Sequence, residues 1–445
     1  MLASLQNGFP LELKIAFYLL SRQTASGKYI GTFGKILLEI PSVLGTQCKQ
    51  RRNRRLPSWP GREGAILPLI NYITQIQFDF GAVGLVRQEC NRLGIGKPLI
   101  VTDTGVRAAG LLDRVLSCLA DMKGLPIYDQ TPSNPTEAAV RAATAVYTAN
   151  GCDGLIGVGG GSPIDLAKGV AVCATHPGPL KTYAAIEGGI PKITSATAPV
   201  IAIPTTAGTG SEVGRGALII LDDGRKVALV SPHVIPKSAI CDPELTLGLP
   251  PLLTAATGMD AIAHCIETFL SPLFNPPADG IALDGLWRGW AHVERATAAP
   301  RDREARLNMM SASTQGALAF QKGLGCVHSI SHSVASVDPR LHHGTLNAVL
   351  LPAVIEFNAG ATSVREGKRL ERMAQAMNLS GPGEISGAIR AMNRRLGLAS
   401  GLRKLGVTEA QFPRIVDGAM KDHCHLTNPR QATAEDYARL LAESM

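Results

Sequence analysis

The sequence predicts an α/β fold, with a parallel sheet in the first half and helices alone in the second. Three observations carry that expectation. Continuous apolar runs alternate with helical patterns between residues 67 and 249, as in sheets covered on both faces. Two loops rich in small residues follow such runs directly. After Leu249-Pro250-Pro251 the strand runs stop and helical periodicities take over, so residues 250–445 are read as a separate helical domain.

Residues 1–66 stand apart from both halves. They hold ten Lys and Arg, with Arg51, Arg52, Arg54 and Arg55 clustered, against three Glu, followed by Pro57, Pro60 and Gly61. That composition is linker-like, and the segment is expected to be a basic, disordered or dispensable leader rather than a targeting signal. It supplies most of the net charge of +8, which leaves the body nearly neutral. A folded basic face for nucleic acid is therefore not expected, and aromatics at 4% are too few for a base-stacking platform. Nine scattered cysteines without a CxxC pair read as reduced thiols of a cytoplasmic protein. No apolar run reaches the roughly 18 residues of a membrane span, so no membrane partner is expected.

The first strand expected is Pro98-Leu99-Ile100-Val101-Thr102-Asp103, apolar until it ends in an acid. Residues 137–149 read as a helix. Gly154-Leu155-Ile156-Gly157-Val158 is a second strand and Ala198-Pro199-Val200-Ile201-Ala202-Ile203-Pro204 a third. Gly159-Gly160-Gly161-Ser162-Pro163-Ile164-Asp165 joins the second strand to a helix. Its glycines let backbone approach a diphosphate, which helix-start amides then face. Ser162 is the expected N-cap, Pro163 suits the first turn, and Asp165 follows three residues after the cap. Without a ligand the same residues make a tight strand–helix turn. Thr205-Thr206-Ala207-Gly208-Thr209-Gly210-Ser211-Glu212 follows the third strand and is loaded with hydroxyls. Two such loops at consecutive strand ends favour a bound dinucleotide, since ligands lie at the carboxyl ends of parallel strands. Asp103 suits a ribose 2′-OH and so NAD over NADP; it equally suits a turn or cap. It precedes the glycine loop, whereas the acid of the common fingerprint follows by about 20 residues, so a variant nucleotide fold is expected.

In the second half, residues 252–269, 305–321, 364–377 and 384–396 read as helices. Asp260 and His264 are spaced i, i+4 and share a face. They lie among Ala255, Ala256, Met259, Ile262 and Ile266, where an acid needs a partner or a metal; a hydrogen-bonded core pair is the alternative. His328 and His332 repeat the spacing, and four of the ten histidines fall between 328 and 343. His328 is read as a ligand and His332 as a proton-handling group beside it. Of His342 and His343, only one is expected to reach an ion. A carboxylate with imidazoles suits Fe²⁺ or Zn²⁺, a cation able to polarise oxygen. Cys265, Cys326 and Cys424 read as packing residues.

Taken together, these segments resemble the iron-dependent (group III) alcohol dehydrogenase family from about Leu69 to the C-terminus. The resemblance rests on Asp103, Asn134-Pro135-Thr136, the two loops, the run from Ala256 to His264, and Lys322-Gly323-Leu324-Gly325 with the histidine segment. It extends to His343-Gly344 before Asn347-Ala348, and to Thr427-Asn428-Pro429-Arg430. It implies a Rossmann-like nucleotide-binding domain over 67–249 and a metal-binding helical domain over 250–445. The implied metal ligands are Asp260, His264, His328 and His343. The implied nucleotide contacts are Asp103, Asn134, Gly160, Gly161, Ser162, Thr205, Thr206, Lys226 and Leu245, with His332 beside the nicotinamide. The implied activity is hydride transfer between NAD(H) and a small alcohol and its aldehyde or ketone, with Fe²⁺ or alternatively Zn²⁺, in a homodimer or higher homo-oligomer.

Three departures bear on the site. The interval from His332 to His343 is one residue longer than the family pattern, which leaves His342 in contention, although His-Gly favours His343. Ser333-Val334-Ala335 replaces Pro-Leu-Gly, and Arg215 stands where similar enzymes often carry Asn, adding a cation near the cofactor. A dehydroquinate-synthase-like lyase using NAD and a metal is the first rival, but few basic residues adjoin the metal segments. A non-catalytic relative of the fold is the second; a metal-free reductase is the third, and Asp260 argues against it. A chain beginning near Leu67 is expected to keep full turnover; failure of that truncated chain to fold would overturn the reading of the leader.

Overall fold

The computed structural model describes residues 74–445; the expected leader lies outside them. The first half comprises β1 (Gln75–Phe78), α1 (Val86–Leu93), β2 (Pro98–Val101), α2 (Thr104–Ala108), α3 (Leu111–Ser117), β3 (Ile127–Tyr128), α4 (Glu137–Ala149), β4 (Gly154–Gly159), α5 (Gly161–Cys173), β5 (Val200–Pro204), β6 (Gly216–Ile220), β7 (Lys226–Val230) and β8 (Ser238–Cys241). One six-stranded sheet runs in the order β1-β8-β5-β4-β2-β3, with every pairing parallel. Its central strands alternate between two cores. Leu99, Val101 and Leu155 pack under α4 and α5, while Ile100, Ile156, Val158, Ile201, Ile203 and Ile240 pack on the opposite face. Burial on both faces explains why these strands are apolar throughout. Each such side chain contributes about 1.5–3 kcal/mol.

From β2 the chain steps to β3 on one side and then to β4, β5 and β8 on the other. The order therefore reverses between β2 and β4, and the crevice beyond their carboxyl ends is where an open α/β sheet takes its ligand. Asp103 and Gly159 stand at that point.

Two local expectations are corrected. The N-cap of α5 is Gly160, not Ser162; Ser162 lies inside the first turn, and its hydroxyl donates to Ser133 O at 2.5 Å. Asp165 does not cap either: it accepts from Ser211 Oγ at 2.5 Å and from Leu218 N at 3.0 Å. Between β5 and β8 the chain also inserts an antiparallel hairpin, β6–β7, turning through Asp222-Asp223-Gly224.

The second half comprises α6 (Pro251–Leu270), α7 (Pro276–Ala298), α8 (Arg303–Leu318), α9 (Cys326–Val337), α10 (His343–Asn358), α11 (Thr362–Glu366), α12 (Arg369–Ala376), α13 (Ile385–Arg395), α14 (Phe412–Lys421) and α15 (Ala434–Glu443). The helix expected over 364–377 is two helices. Gly367 and Lys368 break it, Lys368 standing at φ 45°. α6 starts on Pro251 at its first position, which suits a fixed φ and a missing N–H. Every residue from Thr254 to Leu270 is buried, because α7, α8 and α10 surround it. A helix buried on every side, with no solvent-facing stripe, is stable only in such a place.

Lys168 on α5 holds the two loops and the hairpin together. It is fully buried, and its Nζ donates to Ser211 Oγ at 2.8 Å, Gly214 O at 3.0 Å and Gly216 O at 2.8 Å. Burial pushes its pKa down to about 8. Lys168→Met keeps the bulk but strands two carbonyls and removes the donor to Ser211 Oγ. It is expected to cost about 3 kcal/mol of folding stability, read by denaturant unfolding; a midpoint unchanged from wild type would refute the role.

Candidate functional site

The three buried polar residues Asp260, His264 and Glu267 line one face of α6, a turn apart. Facing them are His328 and His332 on α9 and His343 at the start of α10. The Nε2 atoms of His264, His328 and His343 stand 3.6, 3.9 and 3.7 Å from the same Asp260 Oδ1. Donor atoms of these four residues all lie within 4.8 Å of one another. Ligands about 2.1 Å from a tetrahedral ion stand about 3.4 Å apart, so the spacing is that of a coordination shell.

The outer nitrogen of each imidazole is already engaged. His264 Nδ1 meets Gly208 O at 3.2 Å, and His343 Nδ1 meets Ser331 Oγ at 3.3 Å. His328 Nδ1 meets Glu267 Oε2 in a short contact, while Glu267 Oε1 accepts from Val327 N at 2.8 Å. Anchoring Nδ1 leaves Nε2 as the lone-pair donor, the arrangement that orients metal-binding histidines. Burial pushes His264 and His328 down to about 4 and His343 well below 6.5, so all three are neutral, as ligation requires. Burial also raises Glu267 to about 8; a proton held between it and His328 Nδ1 keeps Nε2 free.

Asn347, fully buried on α10, sends its Nδ2 into the same centre. It donates to Asp260 Oδ1 at 2.7 Å and lies 3.2 and 3.1 Å from the Nε2 atoms of His328 and His343. Three acceptors thus share one amide, whose own Oδ1 is buried without a partner. A centre this rich in lone pairs is chemically matched to a cation. Gly344 lets α10 approach: a Cβ there would stand 2.2 Å from Ala256 O and 3.1 Å from Asp260 Cβ. His342 is exposed one residue earlier, so the geometry brings His343 into the cluster and leaves His342 out.

His332 lies one turn beyond His328, stacked on His343 with ring centroids 5.2 Å apart. Its Nδ1 meets Asp422 Oδ2 at 3.0 Å, and its buried Nε2 has no partner. Burial works against the Asp422 carboxylate, yet His332 and His423 hold it well below the usual carboxylate range. An ionised Asp422 can only accept, so Nδ1 carries the proton and Nε2 presents a lone pair. Burial lowers the His332 pKa below 6.5.

The expected nucleotide residues fall around the crevice in three groups. Gly160, Gly161 and Thr206 line adjoining loops: a Cβ on Gly160 would stand 3.3 Å from Thr206 Oγ1, and Thr205 N donates to Gly159 O at 2.9 Å. Lys226 Nζ donates to Asn134 Oδ1 at 3.0 Å, and Asn134 Nδ2 donates to Pro339 O at 3.0 Å. Asp103 caps α2 with one carboxylate oxygen, accepting from Val106 N at 2.8 Å. Leu245 is different; it is enclosed in the α/β core. Arg215 is exposed just before β6, and its charge helps lower the His423 pKa. These small-residue loops, an unfilled carboxylate oxygen and a lysine at a topological switch point fit a dinucleotide.

Sequence reading missed Glu267, Asp422 and His423. Glu267 was findable as an acid three residues after His264 in an apolar helix. The polar run Asp422-His423-Cys424-His425 was visible, but nothing local ties it to α9.

The family pattern "Iron-containing alcohol dehydrogenase" matches residues 74–243, and that of "Fe-containing alcohol dehydrogenase family, C-terminal" matches residues 254–445. The 4-hydroxybutyrate dehydrogenase of Cupriavidus necator is 61% identical over 383 residues, which is 85% of this chain and 100% of that protein. The 1,3-propanediol dehydrogenase of Klebsiella pneumoniae is 35% identical over 85% of this chain and 98% of its own length. A crystal structure of 1,3-propanediol oxidoreductase superposes with a TM-score of 0.79 at 34% identity, over 85% of this chain and 100% of that one. Neither the lyase nor the non-catalytic alternative gains support from these matches. The chain belongs to the iron-containing alcohol dehydrogenase family and is an NAD-dependent oxidoreductase of alcohols and aldehydes.

Proposed function

We propose that Asp260, His264, His328 and His343 hold one divalent cation, Fe²⁺ or Zn²⁺, and that the crevice at Asp103, Asn134, Gly160, Gly161, Ser162, Thr205, Thr206 and Lys226 holds NAD(H). The observation that carries this reading is the convergence of three anchored imidazoles on one buried carboxylate oxygen. When bound, the cation supplies Lewis acidity toward a substrate oxygen and NAD(H) supplies the hydride acceptor or donor.

The chain's own residues do the rest. Glu267, Gly208 O and Ser331 keep the three ligand rings aimed inward. Asp422 fixes the His332 tautomer, so Nε2 takes the alcohol's proton during oxidation and returns it during reduction. The enclosing helices bury Asp260, His264 and His328 and leave the centre open only on the side of His343. Ser162, whose hydroxyl is spent on Ser133 O, contributes its backbone amide at the start of α5 rather than its side chain. Leu245 acts as a core wall behind the crevice.

For substrate we propose a small ω-hydroxy acid and its semialdehyde, of the size of 4-hydroxybutyrate. Support comes from the Cupriavidus necator relative at 61% identity across its whole length. The exposed cation Arg215 beside His423 supports a carboxylate-bearing ligand. A cytoplasmic homodimer is the proposed setting. The described cysteines are all free thiols, and two-fold dimers are the commonest assembly. Among the described residues no helix is long and apolar enough to cross a membrane.

Three outcomes are expected. His264→Ala and His328→Ala each lose bound metal and nearly all turnover while circular dichroism stays native; wild-type rates from either variant in chelator would sink the cage. His332→Gln lowers kcat about 10²–10⁴-fold. In the wild type, alcohol oxidation declines as pH falls through a value below 6.5, because protonated His332 cannot accept; in His332→Gln that acid limb is absent. With NAD, kcat/KM for 4-hydroxybutyrate exceeds that for 1-butanol, and Arg215→Ala narrows the gap severalfold; equal kcat/KM values in the wild type would refute the substrate class.

A further inference from the structure

A second set of metal-binding donors lies beside the first and is chemically unlike it. His332, Asp422, His423 and Cys424 offer donor atoms that all lie within 4.8 Å of one another. Three are consecutive, at the cap and first residues of the 3₁₀ turn His423–Thr427; the fourth projects from α9. His332 Nδ1 stands 3.0 Å from Asp422 Oδ2, His423 Nδ1 stands 3.6 Å from Asp422 Oδ1, and Cys424 Sγ stands 3.5 Å from His423 Nε2. Cys424 is buried. The His423 side chain is 45% exposed against 11% for Asp422, so His423 is the most solvent-accessible member of the cluster. The Asp260 cage offers only nitrogen and oxygen, whereas this cluster adds sulfur. Imidazole, carboxylate and thiolate together make a Zn²⁺ or Cd²⁺ site.

We propose that His332, Asp422, His423 and Cys424 form a second, inhibitory site for a thiophilic divalent cation, of which Zn²⁺ is the physiological example. On binding, Cys424 gives up its thiol proton to solvent and ligates as thiolate. Asp422 turns its charge from His332 Nδ1 to the cation. His332 then loses the partner that fixes its tautomer and becomes a ligand, so its nitrogen no longer serves proton transfer. No bond of the substrate changes and nothing is oxidised; removing the cation restores the enzyme. Occupancy of the site stands on the four donors alone. Inhibition additionally rests on the proton-handling role assigned to His332.

The test uses the full chain with its resident metal retained. Stepwise Zn²⁺ is expected to add one tightly bound equivalent while turnover falls in proportion, and brief chelation restores the rate. Cd²⁺ in place of Zn²⁺ is expected to give a thiolate-to-metal absorption band. Cys424→Ser abolishes that band and raises the Zn²⁺ midpoint, relative to the variant's own rate, by at least about tenfold. His423→Gln, at a position whose side chain is 45% exposed, raises the midpoint similarly if the serine variant fails to fold. Inhibition that tracks loss of the resident metal, or midpoints unchanged in both variants, overturns the site. A second equivalent bound with the Cys424-dependent band and undiminished turnover keeps the site and overturns the role given to His332.

Discussion

A carboxylate and two imidazoles are buried together here with a third imidazole, that of His343, half-buried beside them, and their inner atoms are all electron-pair donors. Such a cluster is unfavourable in an apolar core unless a positive centre meets it. The protein fixes the outer edge of every ring with an acceptor or hydroxyl, so the inner edges have no choice of direction. Asn347 supplies the only donor the described residues aim at that point. The burial of α6, the close approach of α10 at Gly344 and the engagement of Glu267 all serve this one convergence.

The same contacts fasten the cage to the nucleotide crevice. Gly208, in the hydroxyl-rich loop after β5, gives its carbonyl to His264. Asn134 reaches from the crevice to Pro339, in the link between α9 and α10, while holding Lys226. Lys168 ties the glycine loop's helix to that hydroxyl-rich loop and the hairpin. A shift at any of these points would move the crevice and the histidine cluster together. The spacing between the crevice and the histidine cluster is therefore set by hydrogen bonds within one packed body.

Legibility in the sequence follows how local each cause is. β2, β4 and β5 were readable because burial on both faces demands unbroken apolar runs. The helix Glu137–Ala149 was readable to the residue because Thr136 caps it. β1 escaped because Gln75 and Gln77 alternate with apolar residues at a sheet edge, and β3 because it is two residues long. The hairpin announced its turn with Asp223-Gly224, but continuous apolar strands elsewhere concealed it. Asp260 with His264, and His328 with His332, follow from helical spacing. The union of the two pairs, the choice of His343 and the partnership of Asp422 with His332 arise between helices. The error at Ser162 has a simple origin: cap preference is a statistical tendency, and here a nearby carbonyl competes for the hydroxyl.

The N-terminus of α9 has a consequence for how the protein comes into being. Its first two amides are held by residues remote in sequence: Cys326 N by Asn428 Oδ1, and Val327 N by Glu267. Thr427 Oγ1 in turn bonds Leu324 O at 2.6 Å. Asn428 leaves the ribosome about a hundred residues after the helix it caps. A nascent chain that has made Asp260, His264, His328 and His343, and Glu267 with them, still lacks Asn428, which closes the first turn of the helix that carries His328.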